Sequence, residues 1–200
     1  SQLLVAASPH NYITDTHWFR ADFDEMLVHE AQGTGADYFD QVQLDSFVND
    51  GDSVILSGVR DEQAVTFRAR FVVDATGPRG FLHRTLHLPE SPLPNYPATQ
   101  VLFSHFTNVK RLDDASPCAN SDVPPYPIDD AAGHHIFDGG WIWVLQFNNG
   151  ITSAGVAATD EAFARLHLAD GETAWRHLLK SIPGLHEQFK DAKAERPFTH

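Results

Sequence analysis

Gly140-Trp-Ile-Trp-Val-Leu-Gln-Phe147, Asn148-Asn-Gly150 and Ile151-Thr-Ser-Ala-Gly-Val-Ala-Ala158 carry the pattern on which the fold turns. Trp141 and Trp143 alternate with Ile142 and Val144, a period of two that puts both indoles on one face of a strand. Asn-Asn-Gly is the chemistry of a tight hairpin, so Ile151 to Ala158 returns as an antiparallel neighbour. Just upstream, His134 to Phe137 reads as a further strand. Thr99 to Thr107 reads as another, set between two Pro-rich stretches. Downstream the period changes. Asp160 is placed to cap a stretch carrying Phe163 and Leu166. Trp175, Leu178, Leu179 and Ile182 then fall at i, i+3, i+4 and i+7, the stripe of a packed helix. Pro183-Gly184 ends that helix, and a short one runs from Leu185 to Phe189. The expectation is an α+β fold: a mixed or antiparallel sheet from strands near 99–107, 134–138, 140–147 and 151–158, with helices near 160–190 packed on it.

Towards the N-terminus the character shifts. Eight of the twelve prolines lie within residues 89–127, a composition more typical of covers and lids than of core. Phe71-Val-Val73 is a continuous apolar run, as in strands covered on both faces, and it ends in Asp74-Ala-Thr-Gly-Pro78. A glycine turn at the carboxyl end of such a strand is where open α/β sheets bind ligands. Before it, alternation over 42–48, 53–59 and 64–70, broken at Asn49-Asp-Gly51 and Arg60-Asp-Glu-Gln63, predicts a β-meander. Asp22 with Glu25 has the form of a capping box, and Phe23, Met26, Leu27 and Ala31 follow at helical spacing. Residues 10–20 show no clear period.

Composition bounds the rest. The 200 residues are 42% hydrophobic and 20% charged, which excludes disordered and collagen-like classes. No run reaches the roughly 18 apolar residues of a membrane span. The net charge of −13 repels phosphate backbones and argues against nucleic acid as a partner. A single cysteine, Cys118, allows no internal disulfide and suits a reducing, cytoplasmic setting. The chain starts at Ser1 with no signal peptide and stops at Arg196-Pro-Phe-Thr-His200, which suggests a piece of a longer protein.

Several chemistries find little support. Gly33-Thr-Gly35 follows a helix rather than a strand, with Tyr38 where a dinucleotide fingerprint needs a third glycine, so it reads as a helix end. Twelve histidines are present, but His134 and His135 are adjacent on a strand and point to opposite faces. No HExxH or His/Cys cluster occurs, and no metal is expected. There is no G-x-S-x-G elbow. Asp113-Asp114 and Asp129-Asp130 read as turn-forming, solvated neighbours. Two candidates remain. In Asp74-Ala-Thr-Gly77, Gly77 can adopt φ > 0 and admit a ligand close to the backbone, or simply end a strand. Trp141 and Trp143 form either a core wall or the flat apolar surface of a pocket.

The order of these pieces resembles a known superfamily. Arg20-Ala-Asp-Phe-Asp24 opening a helix, then a meander, then Val73-Asp-Ala-Thr-Gly77, is similar to the middle of group A flavoprotein monooxygenases and flavin-dependent halogenases, with their p-hydroxybenzoate hydroxylase-like fold. His134-His-Ile-Phe-Asp-Gly-Gly-Trp-Ile-Trp-Val-Leu145 with Gly150-Ile-Thr-Ser-Ala-Gly-Val156 looks like the halogenase branch, including the tryptophan halogenases. The resemblance covers nearly the whole chain. It implies FAD as cofactor in the full-length protein, with Arg20, Ala75, Thr76 and Gly77 near it and Trp141 and Trp143 near the substrate. Of the halogenase W-x-W-x-I-P signature, Trp141 and Trp143 match, whereas Leu145 and Gln146 replace its Ile and Pro. The G-x-G-x-x-G turn and the halogenase catalytic lysine belong upstream of this segment, so the catalytic residues are unknown.

The resemblance further implies residues 1–88 as part of an FAD-binding α/β domain and 89–200 as a substrate domain. It implies an enzyme that, through a flavin hydroperoxide, halogenates or hydroxylates an aromatic or other apolar small molecule, with a flavin reductase as a possible partner. The 200 residues alone are expected to lack FAD and activity. A geranylgeranyl-reductase-like enzyme and a non-enzymatic module binding an apolar ligand are the alternatives.

Overall fold

The Asn148-Asn-Gly150 hairpin forms as its chemistry dictates: Gly150 takes φ +82°, and Phe147 N donates to Ile151 O at 2.9 Å. Around it a computed structural model of the chain describes residues 2–5, 17–77, 79–91, 93–112 and 126–200. Cys118 and the Asp113-Asp114 pair lie outside the described residues. The chain divides into two compact units, one of Ser1–Phe23 with Tyr96–His200, the other of Asp24–Asn95.

The larger unit holds a six-stranded sheet of β1 (Gln2–Val5), β5 (Thr99–Thr107), β6 (Ala132–Phe137), β7 (Gly140–Gln146), β8 (Thr152–Thr159) and β9 (Lys193–Ala194). Their order is β1-β6-β7-β8-β5-β9, and every pairing is antiparallel. The four strands expected from alternation are all present. β1 and β9 are short edge additions without a sequence pattern long enough to announce them.

One sheet face is covered by α3 (Asp160–Arg165), α4 (Glu172–Ser181) and α5 (Pro183–Gln188). Leu102, Phe106, Ile142, Val144, Ala154, Val156 and Ala158 pack there against Phe163, Trp175, Leu178, Leu179, Leu185 and Phe189 in one buried cluster. Fully burying a side chain such as Leu102 or Ile142 stabilises the unit by about 1.5–3 kcal/mol. The helical stripe at Trp175, Leu178 and Leu179 is buried as its spacing requires. Two local expectations change. Thr159, not Asp160, caps α3, its Oγ1 accepting from Ala162 N at 3.3 Å. The last helix starts at Pro183, whose missing N–H costs nothing at the first helical position.

The smaller unit carries the meander of β2 (Gln43–Asp50), β3 (Ser53–Arg60) and β4 (Gln63–Ala69), with a register shift between Leu44 and Ser46. The first helix, α1 (Arg20–Gly33), begins two residues before the predicted capping box, because Phe23 N already bonds Phe19 O. None of its residues is buried, so the predicted amphipathic face meets no core among the described residues. The strand predicted at Phe71–Val73 does not form. Phe71 and Val73 are 81% and 79% exposed. An apolar run becomes a strand only when a neighbour completes its backbone ladder, and no described strand pairs with it.

Candidate functional site

The turn after Val73 is built by its own side chains. Asp74 Oδ1 accepts from Thr76 N at 2.9 Å and from Thr76 Oγ1 at 2.6 Å. Asp74 Oδ2 accepts from Leu82 N at 2.7 Å, and Thr76 Oγ1 accepts from Phe81 N at 2.8 Å. Two orphan amides opening α2 (Phe81–Thr85) are thus capped from eight and five residues upstream. These donors, led by the Thr76 hydroxyl, hold the Asp74 carboxyl below its ordinary value, with Arg84 adding to the effect. Gly80 lets the turn close, since a Cβ there would stand 2.2 Å from Thr76 Oγ1.

Gly77 sits at φ +89°, where L side chains are strained, and nothing lies within 4 Å of the place a Cβ would occupy. The side chains of Asp74 and Thr76 face inward to the cap. What the turn offers outward is the backbone of Ala75, Thr76 and Gly77. A flat or phosphate-bearing cofactor can approach such a surface closely, so the turn fits one. Arg20 stands exposed at the start of α1.

The second candidate lies on the sheet face away from the helices. Trp143, Gly155 and Phe103 are in register across β7, β8 and β5, and the Phe103 and Trp143 rings lie 6.2 Å apart. A Cβ on Gly155 would come within 2.4 Å of Phe103 Cβ and 2.6 Å of Trp143 Cζ2. The glycine is therefore what admits the indole over the strand. Trp141 is 37% exposed on the same face. His105 also lies there, 5.6 Å from the Phe19 ring, and burial, with help from Arg196, lowers its pKa. Trp141 and Trp143 lie outside the buried cluster, on the sheet face that also carries Phe103.

Comparison with known proteins identifies the frame that holds these features. Residues 7–122 match the model of the FAD binding domain. The chain belongs to the FAD-binding domain family. Within it, the resemblance to the flavin-dependent halogenases holds. The chain is 33% identical over 187 residues to a tetracycline 7-halogenase of Kitasatospora aureofaciens, covering 90% of the chain and 33% of the relative. It is 28% identical over 186 residues to a 1H-pyrrole-2-carbonyl-[peptidyl-carrier protein] chlorinase of Pseudomonas fluorescens, covering 91% of the chain and 39% of the relative. The crystal structure of halogenase PltM in complex with phloroglucinol and FAD superposes with a TM-score of 0.80 at 28% identity, covering 96% of this chain and 39% of that chain. The chain thus spans about a third of the length of the curated relatives it matches.

Some contributors were not legible beforehand. Gly155 sits in a small, apolar strand with no turn chemistry, and only register shows what it faces. Asp129, expected to be solvated, is 6% exposed. It accepts from Leu112 N and lies beside Arg111, while Arg111 Nη2 donates to Asp130 Oδ1 at 2.8 Å. Gln146, where the halogenase signature has proline, donates its side-chain amide to Lys110 O and Asp129 Oδ1, each at 3.3 Å. Among the described residues no group of three or more His, Cys, Asp or Glu is placed to hold a metal ion. No described helix is long and apolar enough to cross a membrane.

Proposed function

We propose that the whole protein containing this chain is an FAD-dependent oxidoreductase of the halogenase kind, acting on an electron-rich aromatic or other apolar small molecule. The observation that carries this reading is the Trp143–Gly155–Phe103 register, which sets aromatic rings on a sheet face outside the buried core. FAD, when bound, supplies the oxidising chemistry with O2. The backbone of Ala75, Thr76 and Gly77 lies against the cofactor in this reading, and Arg20 faces it. Trp141 and Trp143 hold the substrate's apolar body by stacking and keep water from it. Residues 1–88 then serve the FAD domain and 89–200 the substrate domain. The remaining cofactor contacts come from outside these 200 residues, which on their own bind FAD weakly and are inactive.

Relatives whose names specify tetracycline and pyrrole-2-carbonyl substrates, and a halogenase seen with phloroglucinol, support an electron-rich ring as the target. A free small molecule, as in the tryptophan halogenases, is the finer reading for this protein. A cytoplasmic setting with a flavin reductase supplying reduced cofactor completes it.

Hydroxylation is the second reading, and Gln146 favours it: the amide that binds Asp129 and Lys110 occupies a halogenase signature position. The test supplies the full-length protein with reduced FAD, O2, chloride or bromide, and a phenolic or indolic substrate, and weighs the product. A halide-dependent mass gain supports halogenation. A gain of one oxygen without halide dependence assigns the hydroxylase. Saturable NAD(P)H oxidation with no change to any substrate would overturn both readings.

A further inference from the structure

The sheet face that carries Trp141 and Trp143 has a polar spot at the edge of its rings. Alternation in β5 buries Leu102, Ser104 and Phe106 on the helix side and turns Phe103 and His105 the other way, both half-buried. Register sets His105 opposite Ser153 on β8, and Ser153 opposite Leu145 on β7. That row adjoins the row of Trp143, Gly155 and Phe103. The Trp143 indole spans the two: Cζ2 lies over Gly155, and Nε1 reaches Ser153 Oγ at 3.5 Å. Residues paired across a ladder have Cβ atoms about 5 Å apart, so the aromatic surface ends where the imidazole begins.

A second histidine on this face is differently placed. His134 pairs with Trp143 from β6, and its Nδ1 lies 3.1 Å from Ala132 O, so that nitrogen is engaged. His105 meets the Phe19 ring at 5.6 Å, and Phe19 meets Phe147 at 5.3 Å. Among the described residues neither ring nitrogen of His105 forms a hydrogen bond. Burial, together with the Arg196 charge, lowers its pKa, so the ring is neutral near pH 7. The carboxylate close by, on Glu195, accepts from Thr107 Oγ1 at 2.6 Å. A neutral imidazole offers one donor and one acceptor nitrogen. An acceptor at the margin of an aromatic surface matches a ring that bears its own O–H.

We propose that His105 selects phenols: the aromatic body of the substrate lies against Phe103 and Trp143, and its hydroxyl donates to a ring nitrogen of His105. The inference rests on the reading of this face as the substrate surface and names the substrate class within it. A hydroxyl held this way has its hydrogen drawn towards nitrogen, which raises electron density in the ring. Ethers of the same shape lack that hydrogen and leave the acceptor unmet.

The test measures binding of 2-naphthol and of its methyl ether, 2-methoxynaphthalene, by calorimetry. It uses the full-length protein with oxidised FAD, which does not turn over. The wild type should prefer the naphthol by about fivefold, the worth of one hydrogen bond. His105→Phe should erase that preference and leave circular dichroism and the ether's affinity unchanged. His105→Gln, which keeps an acceptor, should restore part of it. Trp141→Ala, on the same face, should weaken both ligands alike. A wild type without the preference, or a preference that survives in His105→Phe, would overturn the inference and leave the aromatic surface standing. Affinities that Trp141→Ala does not move, or no saturable binding of either ligand, would overturn the reading of the face and the role of His105 with it.

Discussion

Gly155 lies directly across the β7–β8 ladder from Trp143, and the indole covers the space where a side chain at 155 would stand. The relationship joins sequence to function: one absent methyl group permits an aromatic surface on a strand otherwise packed as core. Gly155→Ala should destabilise the protein by about 1–3 kcal/mol, the usual cost of forcing an extra group into a packed site. Urea unfolding measures it. Adding Trp143→Leu should recover only part, because Phe103 Cβ at 2.4 Å and Leu102 O at 2.7 Å from the new Cβ remain. Full recovery would show that the indole alone sets the constraint.

Gly77→Ala separates backbone conformation from crowding. No atom of the described chain lies within 4 Å of the added methyl, so any effect comes from φ +89° or from an approaching cofactor. Left-handed backbone costs an L residue roughly 1–2 kcal/mol. FAD titration of the full-length protein should show affinity reduced by about tenfold, equivalent to ~1.4 kcal/mol. Unchanged affinity would remove this turn from the cofactor site.

Thr76→Val removes the hydroxyl that both donates to Asp74 and accepts from Phe81 N. Loss of a helix cap of this kind costs about 1 kcal/mol. The Asp74 pKa, followed by NMR, should rise towards the ordinary carboxylate value, because the Thr76 hydroxyl is the largest cause of its lowering. The sign for stability follows. A carboxylate with a lowered folded pKa contributes above its unfolded value near 3.9, and that contribution is lost as pH falls through the folded value. The wild type should lose it at lower pH than the variant.

His135 and His105 make stability fall on acidification too, but in a higher pH window. Burial is the main cause that lowers both, with His134 also acting on His135 and Arg196 on His105. The unfolded chain therefore takes up protons first as pH falls. Stability should be greatest above about pH 6.5 and decline through the window from there to the lowered folded values. Thermal melts at pH 7.5 and 5 should show the decline, and His135→Gln should make it shallower. A Tm that rises on acidification would contradict the placement of these rings.

Trp141→Ala should leave the melting temperature within a few degrees, since surface substitutions usually change stability by less than about 0.5 kcal/mol. On the proposed reading, it should raise KM of the full-length protein for an aromatic substrate more than it lowers kcat. An equal loss in stability would return Trp141 to a structural role.

Local chemistry was readable where neighbours in sequence are neighbours in space. The Asn148-Asn-Gly150 hairpin, the meander and the Trp175–Leu178–Leu179 stripe follow from turn residues and periodicity, because each is stabilised by groups a few positions apart. Phe71–Val73 shows where that reasoning stops. Its apolar run is real, but strand formation needs a partner that no described segment supplies. Asp129 makes the same point with charge: Asp-Asp in a Pro-rich stretch looks solvated, and only the fold brings Arg111, Leu112 and Gln146 around it.

Residue pattern alone thus determined the element types, the α+β class, and the alternation that aligns Trp141 with Trp143. Tertiary structure decided which face of the sheet is buried, that Gly155 admits the indole, and that Asp74 and Thr76 cap α2. The physical reason is range. Backbone propensity and side-chain period act over a few residues, whereas register, burial and local potential depend on segments that meet only when the chain folds.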